Sequence, residues 1–128
     1  MNFPETLRYT KTHEWIVATG AKAKVGVTEY AQKEISDVVF VELPKAGQAV
    51  QQAKTAAVVE SVKAAFDIYA PIAGKISKVN TEVVKNPALV NQSPYDNGWL
   101  FAIEAAPGAS SASLMDHAGY QASLGDEH

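Results

Sequence analysis

The stretch TAAVVESVKAAFDIYA, residues 55–70, constrains this chain more than any other. Two apolar runs of strand composition, TAAVVES (55–61) and AAFDIYA (64–70), abut with no Gly, Pro or Asn between them. Chain reversals usually rely on residues that tolerate unusual dihedrals or cap themselves. Their absence predicts a stiff hairpin with Lys63 near the reversal and its ε-amine at the tip. A strand lysine is ordinarily a solvated surface charge. What makes this one a candidate site is its context.

Strands dominate the rest of the chain. Residues 15–18 and 22–27 flank a Thr19-Gly20 turn and read as a hairpin. Residues 38–43 form a nearly continuous apolar run, as expected for a buried strand covered on both faces. Pro44-Lys45-Ala46-Gly47 ends it in turn chemistry, and the pattern returns at Pro71-Ile72-Ala73-Gly74. Two such turns bracketing Lys63 suggest two related half-units facing each other. Ser93-Pro94-Tyr95-Asp96-Asn97-Gly98 is a further turn signal ahead of a last strand, 99–104. Helices are few: Thr28 caps a short one through Ile35, and Ser113 caps a C-terminal one to about Leu124. Leu114, Met115, Ala118 and Ala122 form the expected apolar stripe of the latter, with Asp116 in its first turn.

At 128 residues the chain is read as a single domain, residues 1–128, with a core over about 7–105 and a helical segment over about 112–124. The absence of cysteine excludes disulfides, thiolate metal sites and a cysteine nucleophile, so any redox sulfur must arrive on a cofactor. His13, His117 and His128 have no metal-ligand spacing and are read as structural or surface residues, with no metal expected. Net charge is −3, split between +2 over residues 1–85 and −5 over the rest. That is not a nucleic-acid footprint. No apolar run has membrane-spanning length. Residues 1–10 lack a signal or transit pattern, so the expectation is a bacterial cytoplasmic protein, with the mitochondrial matrix as the alternative.

The sequence resembles the glycine cleavage system H proteins, a lipoyl carrier family, in six ordered blocks. They are YTKTHEW (9–15), VGVTEYAQ (25–32), VVFVELP (38–44), ESVKAA (60–65), DIYAPIAGKI (67–76) and LVNQSPYDNGWL (89–100). Lipoyl domains of the 2-oxoacid dehydrogenase acyltransferases usually carry Asp before the lysine; Glu60, Ser61 and Val62 here, with Ala64 after it, favour the H-protein type. The resemblance implies a mainly β lipoyl/biotinyl barrel-sandwich hybrid, made of two antiparallel sheets with short helices, including one at the C-terminus. It implies lipoic acid attached covalently to Lys63 by a lipoyl ligase or transferase. It also implies a non-catalytic, monomeric shuttle carrying the aminomethyl group of glycine from a pyridoxal-phosphate glycine decarboxylase to a folate-dependent aminomethyltransferase. A dihydrolipoamide dehydrogenase reoxidises the arm.

The same resemblance places a protective cleft near Thr12, Glu14 and Asp67, whose carboxylates would hold the terminal ammonium away from water. The alternative for Glu14 and Asp67 is a solvated strand face. Trp15, Trp99, Tyr9 and Tyr95 are read as core or edge packing. Two residues depart from the family pattern: Phe66, where a small hydroxyl residue is usual, and Ser36, where a glycine commonly ends the short helix. Strand parity groups Phe66 with Ile68, which would turn it inward; pointing out, it would change the cleft or the docking surface. The competing readings are an H-like relay in lipoate synthesis or transfer, an enzyme using Lys63 as a Schiff-base lysine, and a structural β domain. A relay has no ammonium to hold, which favours the glycine shuttle. A Schiff-base lysine needs a desolvated pocket.

Overall fold

A computed structural model describes residues 2–20, 22–112 and 114–125. Among the described residues, nine strands form two antiparallel sheets. The larger holds β1 (Arg8–Tyr9), β2 (Glu14–Thr19), β3 (Lys22–Val27), β9 (Phe101–Ala105), β8 (Gly74–Val79) and β5 (Ala49–Val50), in that spatial order. The smaller holds β4 (Val38–Glu42), β6 (Thr55–Ser61) and β7 (Ala65–Tyr69). Alternation drives both: β3 buries Ala23 and Val25 and exposes Lys22 and Lys24. The inner faces share one core, in which Ile16, Val25 and Ile103 of one sheet meet Val41, Val59 and Ile68 of the other. This is the two-sheet, mainly β architecture expected.

The β2–β3 hairpin forms around the expected turn, with Gly20 at φ +68°. Gly26 lies opposite Trp15, and a Cβ there would stand 2.7 Å from the indole, so the glycine makes room for the ring. The two echoed turns do meet. Gly47 donates to the Ile76 carbonyl at 2.7 Å, and β5 pairs β8 directly. Their glycines serve different ends, however. Gly47 needs φ +88°, whereas Gly74 is required because a Cβ would collide with the Glu104 carbonyl oxygen.

Two expectations are corrected. The run 38–43 is not covered on both faces: Val38 and Val41 are buried, but Val39 and Phe40 are 56% and 49% exposed. A β-bulge between Val38 and Phe40 interrupts the alternation, so two consecutive apolar residues reach the surface. The C-terminal helix, α4, spans His117–Gly125 and begins later than expected. Ser113, the expected cap, lies outside the described residues. Asp116 precedes the helix and accepts from the Gly119 amide at 2.8 Å. Leu114 and Met115 also precede it, Met115 pairing with Tyr9 as an isolated bridge. Ala118 and Ala122 are exposed, and the buried stripe is Tyr120 and Leu124, four residues apart.

Two four-residue helices, α2 (Glu82–Lys85) and α3 (Leu89–Gln92), lead to the closing turn, and the last strand starts at Phe101, two residues late. Tyr9 and Trp15 are buried in a second cluster with Leu7, Tyr120 and Leu124, and Tyr95 and Trp99 pack at its edge. His13 bonds the Tyr120 hydroxyl through Nδ1 at 2.8 Å, and His117 Nε2 lies 3.9 Å from Glu5. His128 lies outside the described residues. No helix among the described residues is long and apolar enough to cross a membrane.

Candidate functional site

The β6–β7 hairpin reverses through Val62 and Lys63, and Ser61 supplies what glycine or asparagine would. Its Oγ accepts from the Lys63 and Ala64 amides at 3.1 and 3.2 Å, while its own amide donates to the Ala64 carbonyl at 2.9 Å. A side-chain oxygen capping backbone amides one turn ahead is the physical content of a serine turn. Lys63 is exposed, between exposed Val62 and Ala64, with Glu60 exposed at the end of β6.

The tip is also tied down from outside. Helix α1 (Glu29–Ile35) starts at Thr28, whose hydroxyl accepts from the Ala31 amide at 3.1 Å. It ends at Ser36 with φ +66°, ψ −157°, a region essentially reserved for glycine. Asn91 of α3 fastens the segment that follows: its Nδ2 donates to the Ser36 carbonyl at 2.7 Å, and its Oδ1 accepts from the Val38 amide at 2.9 Å. Asp37, held between them, accepts from the Val62 amide at 3.0 Å. The Lys63 ammonium rests 3.0 Å from the Glu34 carbonyl, at the C-terminal end of α1 where the helix dipole favours a cation. Nothing in this contact desolvates the amine.

Glu14 stands where β2 begins and is buried. Its Oε1 accepts from the Thr10 and Thr12 hydroxyls, both at 2.5 Å, and its Oε2 accepts from the Tyr69 amide at 3.2 Å. Burial raises the Glu14 carboxyl above its ordinary value; the Thr10, Thr12 and backbone hydrogen bonds oppose that shift without cancelling it. The carboxylate forms part of the wall of a cavity of about 490 Å³, with Thr12, Gln52, Tyr69, Leu114 and Met115 among the other lining residues. Thr12 and Glu14 therefore come together as expected. Asp67 does not join them: it is exposed on β7, two residues before Tyr69, and is not among the cavity's lining residues. Alternation on β7 nevertheless puts Ala65, Asp67 and Tyr69 on one face, so one strand connects the Lys63 turn to the Glu14 carboxylate. Phe66 is half-buried and packs against the core, the inward of the two placements left open by the sequence.

The family model for the glycine cleavage H-protein matches residues 7–127. The chain belongs to that family. It is 55% identical over 121 residues to the glycine cleavage system H protein of Endomicrobium trichonymphae, covering 94% of this chain and 98% of the relative. A relative from Thermus thermophilus is 48% identical over 127 residues, 99% of each chain. A crystal structure of a glycine cleavage system H protein from Mycobacterium marinum superposes with a TM-score of 0.87 at 35% identity, covering 96% and 99% of the two chains. Membership ties the chain to the glycine cleavage system.

For this H-protein family member, sequence reasoning missed Thr10, Tyr69 and Asn91 as site residues. Thr10 was beyond the reach of strand alternation, since residues 11–13 form the turn between β1 and β2, and that turn folds the Thr10 and Thr12 hydroxyls onto Glu14. The Tyr69 amide and the Asn91 clamp depend on long-range packing and leave no local signal. Among the described residues, no group of three or more His, Asp or Glu is placed to hold a metal ion.

Proposed function

We propose that the chain is the lipoylated carrier of the glycine cleavage system, with the arm amide-linked to Lys63. The single observation that carries this is an exposed lysine on a hairpin tip, inside a match to the H-protein family over residues 7–127. The residues fit the group. The Lys63 amine donates to a backbone carbonyl and leans on no carboxylate, and Ala64 and Ala65 leave the tip uncrowded. Glu60, Ser61, Val62 and Ala64 form the motif that a lipoyl ligase or transferase reads. When bound, the lipoyl group supplies a disulfide that accepts the aminomethyl carbon and is later reoxidised.

The chain's own residues present, hold and shield. Ser61 and Asp37 fix the tip, so the tether offers its end at an effective concentration on the order of mM to each active site. Glu14 is a buried carboxylate suited to an ammonium, since charge-assisted hydrogen bonds are the strong ones in a dry site. Thr12 orients it, the cavity limits water, and Asp67 stands along the strand between tip and cavity. The partners are the pyridoxal-phosphate decarboxylase, the folate-dependent aminomethyltransferase and the dihydrolipoamide dehydrogenase. The chain itself acts as a non-catalytic monomeric carrier in the bacterial cytoplasm. A lipoate relay has no use for an ammonium-binding carboxylate, which makes Glu14 the residue favouring glycine cleavage. The test is glycine-dependent CO2 release by the decarboxylase with the lipoylated chain as acceptor. Release that needs the chain supports the carrier; none, with a lipoylated chain, rejects it.

A further inference from the structure

The closing loop carries a chemistry that the tip and the cavity do not use. Asn97-Gly98 is the only Asn-Gly pair in the chain; the other asparagines precede Phe3, Thr81, Pro87 and Gln92. An asparagine deamidates when the amide nitrogen of the next residue attacks its side-chain carbon. Glycine permits this most readily, because no Cβ shields the nitrogen and the backbone turns freely. Proline has no N–H to lose, and the side chains of Phe3, Thr81 and Gln92 hinder the approach. Asn97 is exposed, so water reaches its side-chain amide. By sequence alone it is the reactive asparagine.

The fold withholds the nucleophile. Gly98 is buried, and its amide donates to the Ser93 carbonyl at 2.7 Å. A Cβ on Gly98 would stand 2.4 Å from the Leu89 carbonyl oxygen and 2.6 Å from that of Ser93, so the main chain has no slack there. Its neighbours are pinned as well. The Asn97 amide donates to Ser93 Oγ at 3.2 Å, and Nδ2 of buried Asn80 donates to the Asn97 and Trp99 carbonyls at 2.8 and 2.7 Å. Swinging the Gly98 nitrogen onto the Asn97 side chain requires the loop to give up these bonds.

We propose that Asn97 is a deamidation site closed by the fold, which reacts only when the 93–98 loop detaches and whose isoaspartyl product cannot regain the native loop. The Gly98 nitrogen bonds to Cγ of Asn97, the Cγ–Nδ2 bond breaks, and ammonia leaves with the Gly98 amide proton. Water then opens the succinimide. Addition at Cγ restores the main chain as aspartate; addition at the main-chain carbonyl reroutes the chain through Cγ as isoaspartate, one methylene longer. The aspartyl form refits, whereas the isoaspartyl form displaces Gly98 from its slot. The damage reaches the tip, because α3 runs into this loop, Ser93 donating its amide to the Leu89 carbonyl at 2.8 Å. Asn91 of α3 is the residue that fastens Ser36 and Val38 beside the Lys63 turn. None of this depends on the carrier reading.

The test follows deamidation of the full chain at mildly alkaline pH, in buffer and in urea, by peptide mapping that separates aspartyl from isoaspartyl products. Asn97 should react about tenfold or more slowly in buffer than in urea, since a packed loop opens rarely. In urea it should outpace every other asparagine. Ser93→Ala removes the acceptor of the Asn97 amide, and Asn80→Ser removes the clamp on its carbonyl. Each should raise the rate in buffer severalfold and leave the rate in urea at the parent's. Returned to buffer, the isoaspartyl chain should exchange its Gly98 and Val62 amides faster than the parent. Equal parent rates in buffer and urea overturn the closure, as do folded variants that react in buffer at the parent's rate. A faster asparagine elsewhere overturns the site. Parent-like protection at Gly98 overturns the exclusion of the product, and at Val62 alone it overturns the reach to the tip.

Discussion

Glu14 shows a residue kept at the expense of stability. The folded chain binds its proton more tightly than the unfolded chain, because burial raises the carboxyl above its ordinary 4.5. Stability therefore falls as pH rises from that ordinary value to the raised folded one, and the ionised state above it is the less stable. Glu14→Gln should flatten that part of the pH–stability curve and raise Tm near neutrality; thermal melts from pH 4 upward check it, and an unchanged slope would contradict the burial argument. The same variant should release ammonia from aminomethyl-loaded protein about tenfold faster, one decade being 1.4 kcal/mol, while reduction of the unloaded arm stays at the parent rate. Asp67→Asn, on the exposed strand face, should have the smaller effect. Ser36 is the other residue-scale cost. At φ +66° and ψ −157° it occupies glycine's territory, so Ser36→Gly should stabilise the fold by about 1 kcal/mol, read from denaturant midpoints. No change there would mean that the strain is relieved in solution.

Among the elements, the hairpin tip depends on parts that are distant in sequence. Asn91 holds Ser36 and Val38, and Asp37 between them holds the Val62 amide. Removing the Asn91 side chain leaves a part-buried network short of partners, at about 1 kcal/mol or somewhat more. Asn91→Ala should lower stability by that amount and speed amide exchange at Val62. Protection at Val62 equal to the parent's would show that the tip is rigid without the clamp. The strands, the α1 cap and the Lys63 tip were legible in sequence because alternation, turn chemistry and capping act over a few residues. The β4 bulge was not, since which of Val38–Val41 reaches the surface depends on register with β6. The start of α4 was obscured for a related reason: Met115 is drawn off into a bridge with Tyr9, and the buried stripe is set by Tyr120 and Leu124. Of the cleft, Thr12 and Glu14 followed from the family resemblance alone, and the Tyr69 amide that completes the carboxylate's partners belongs to another sheet.

At the scale of the whole molecule, the scaffold and the β6–β7 tip are separable. Tyr120 is buried, stacks on Tyr9 at 4.7 Å and bonds the Thr28 hydroxyl at 2.8 Å. Tyr120→Ala should therefore cost about 3–5 kcal/mol and open the wall of the Glu14 cavity formed by Leu114 and Met115. The β6–β7 tip is held from α1 and α3, so the extent of lipoylation below the variant's melting temperature should match the parent's. Loss of lipoylation in a still-folded variant would tie the tip to α4 and contradict that separation. The central claim is that one lysine, fixed at a hairpin tip, carries the arm, and peptide mapping after incubation with lipoate and a lipoyl ligase tests it most directly. The parent should gain a single lipoyl group, on Lys63, and Lys63→Arg, whose guanidinium keeps the charge, should gain none. A lipoyl group on any other lysine of the folded parent, or on Lys63→Arg, would contradict it.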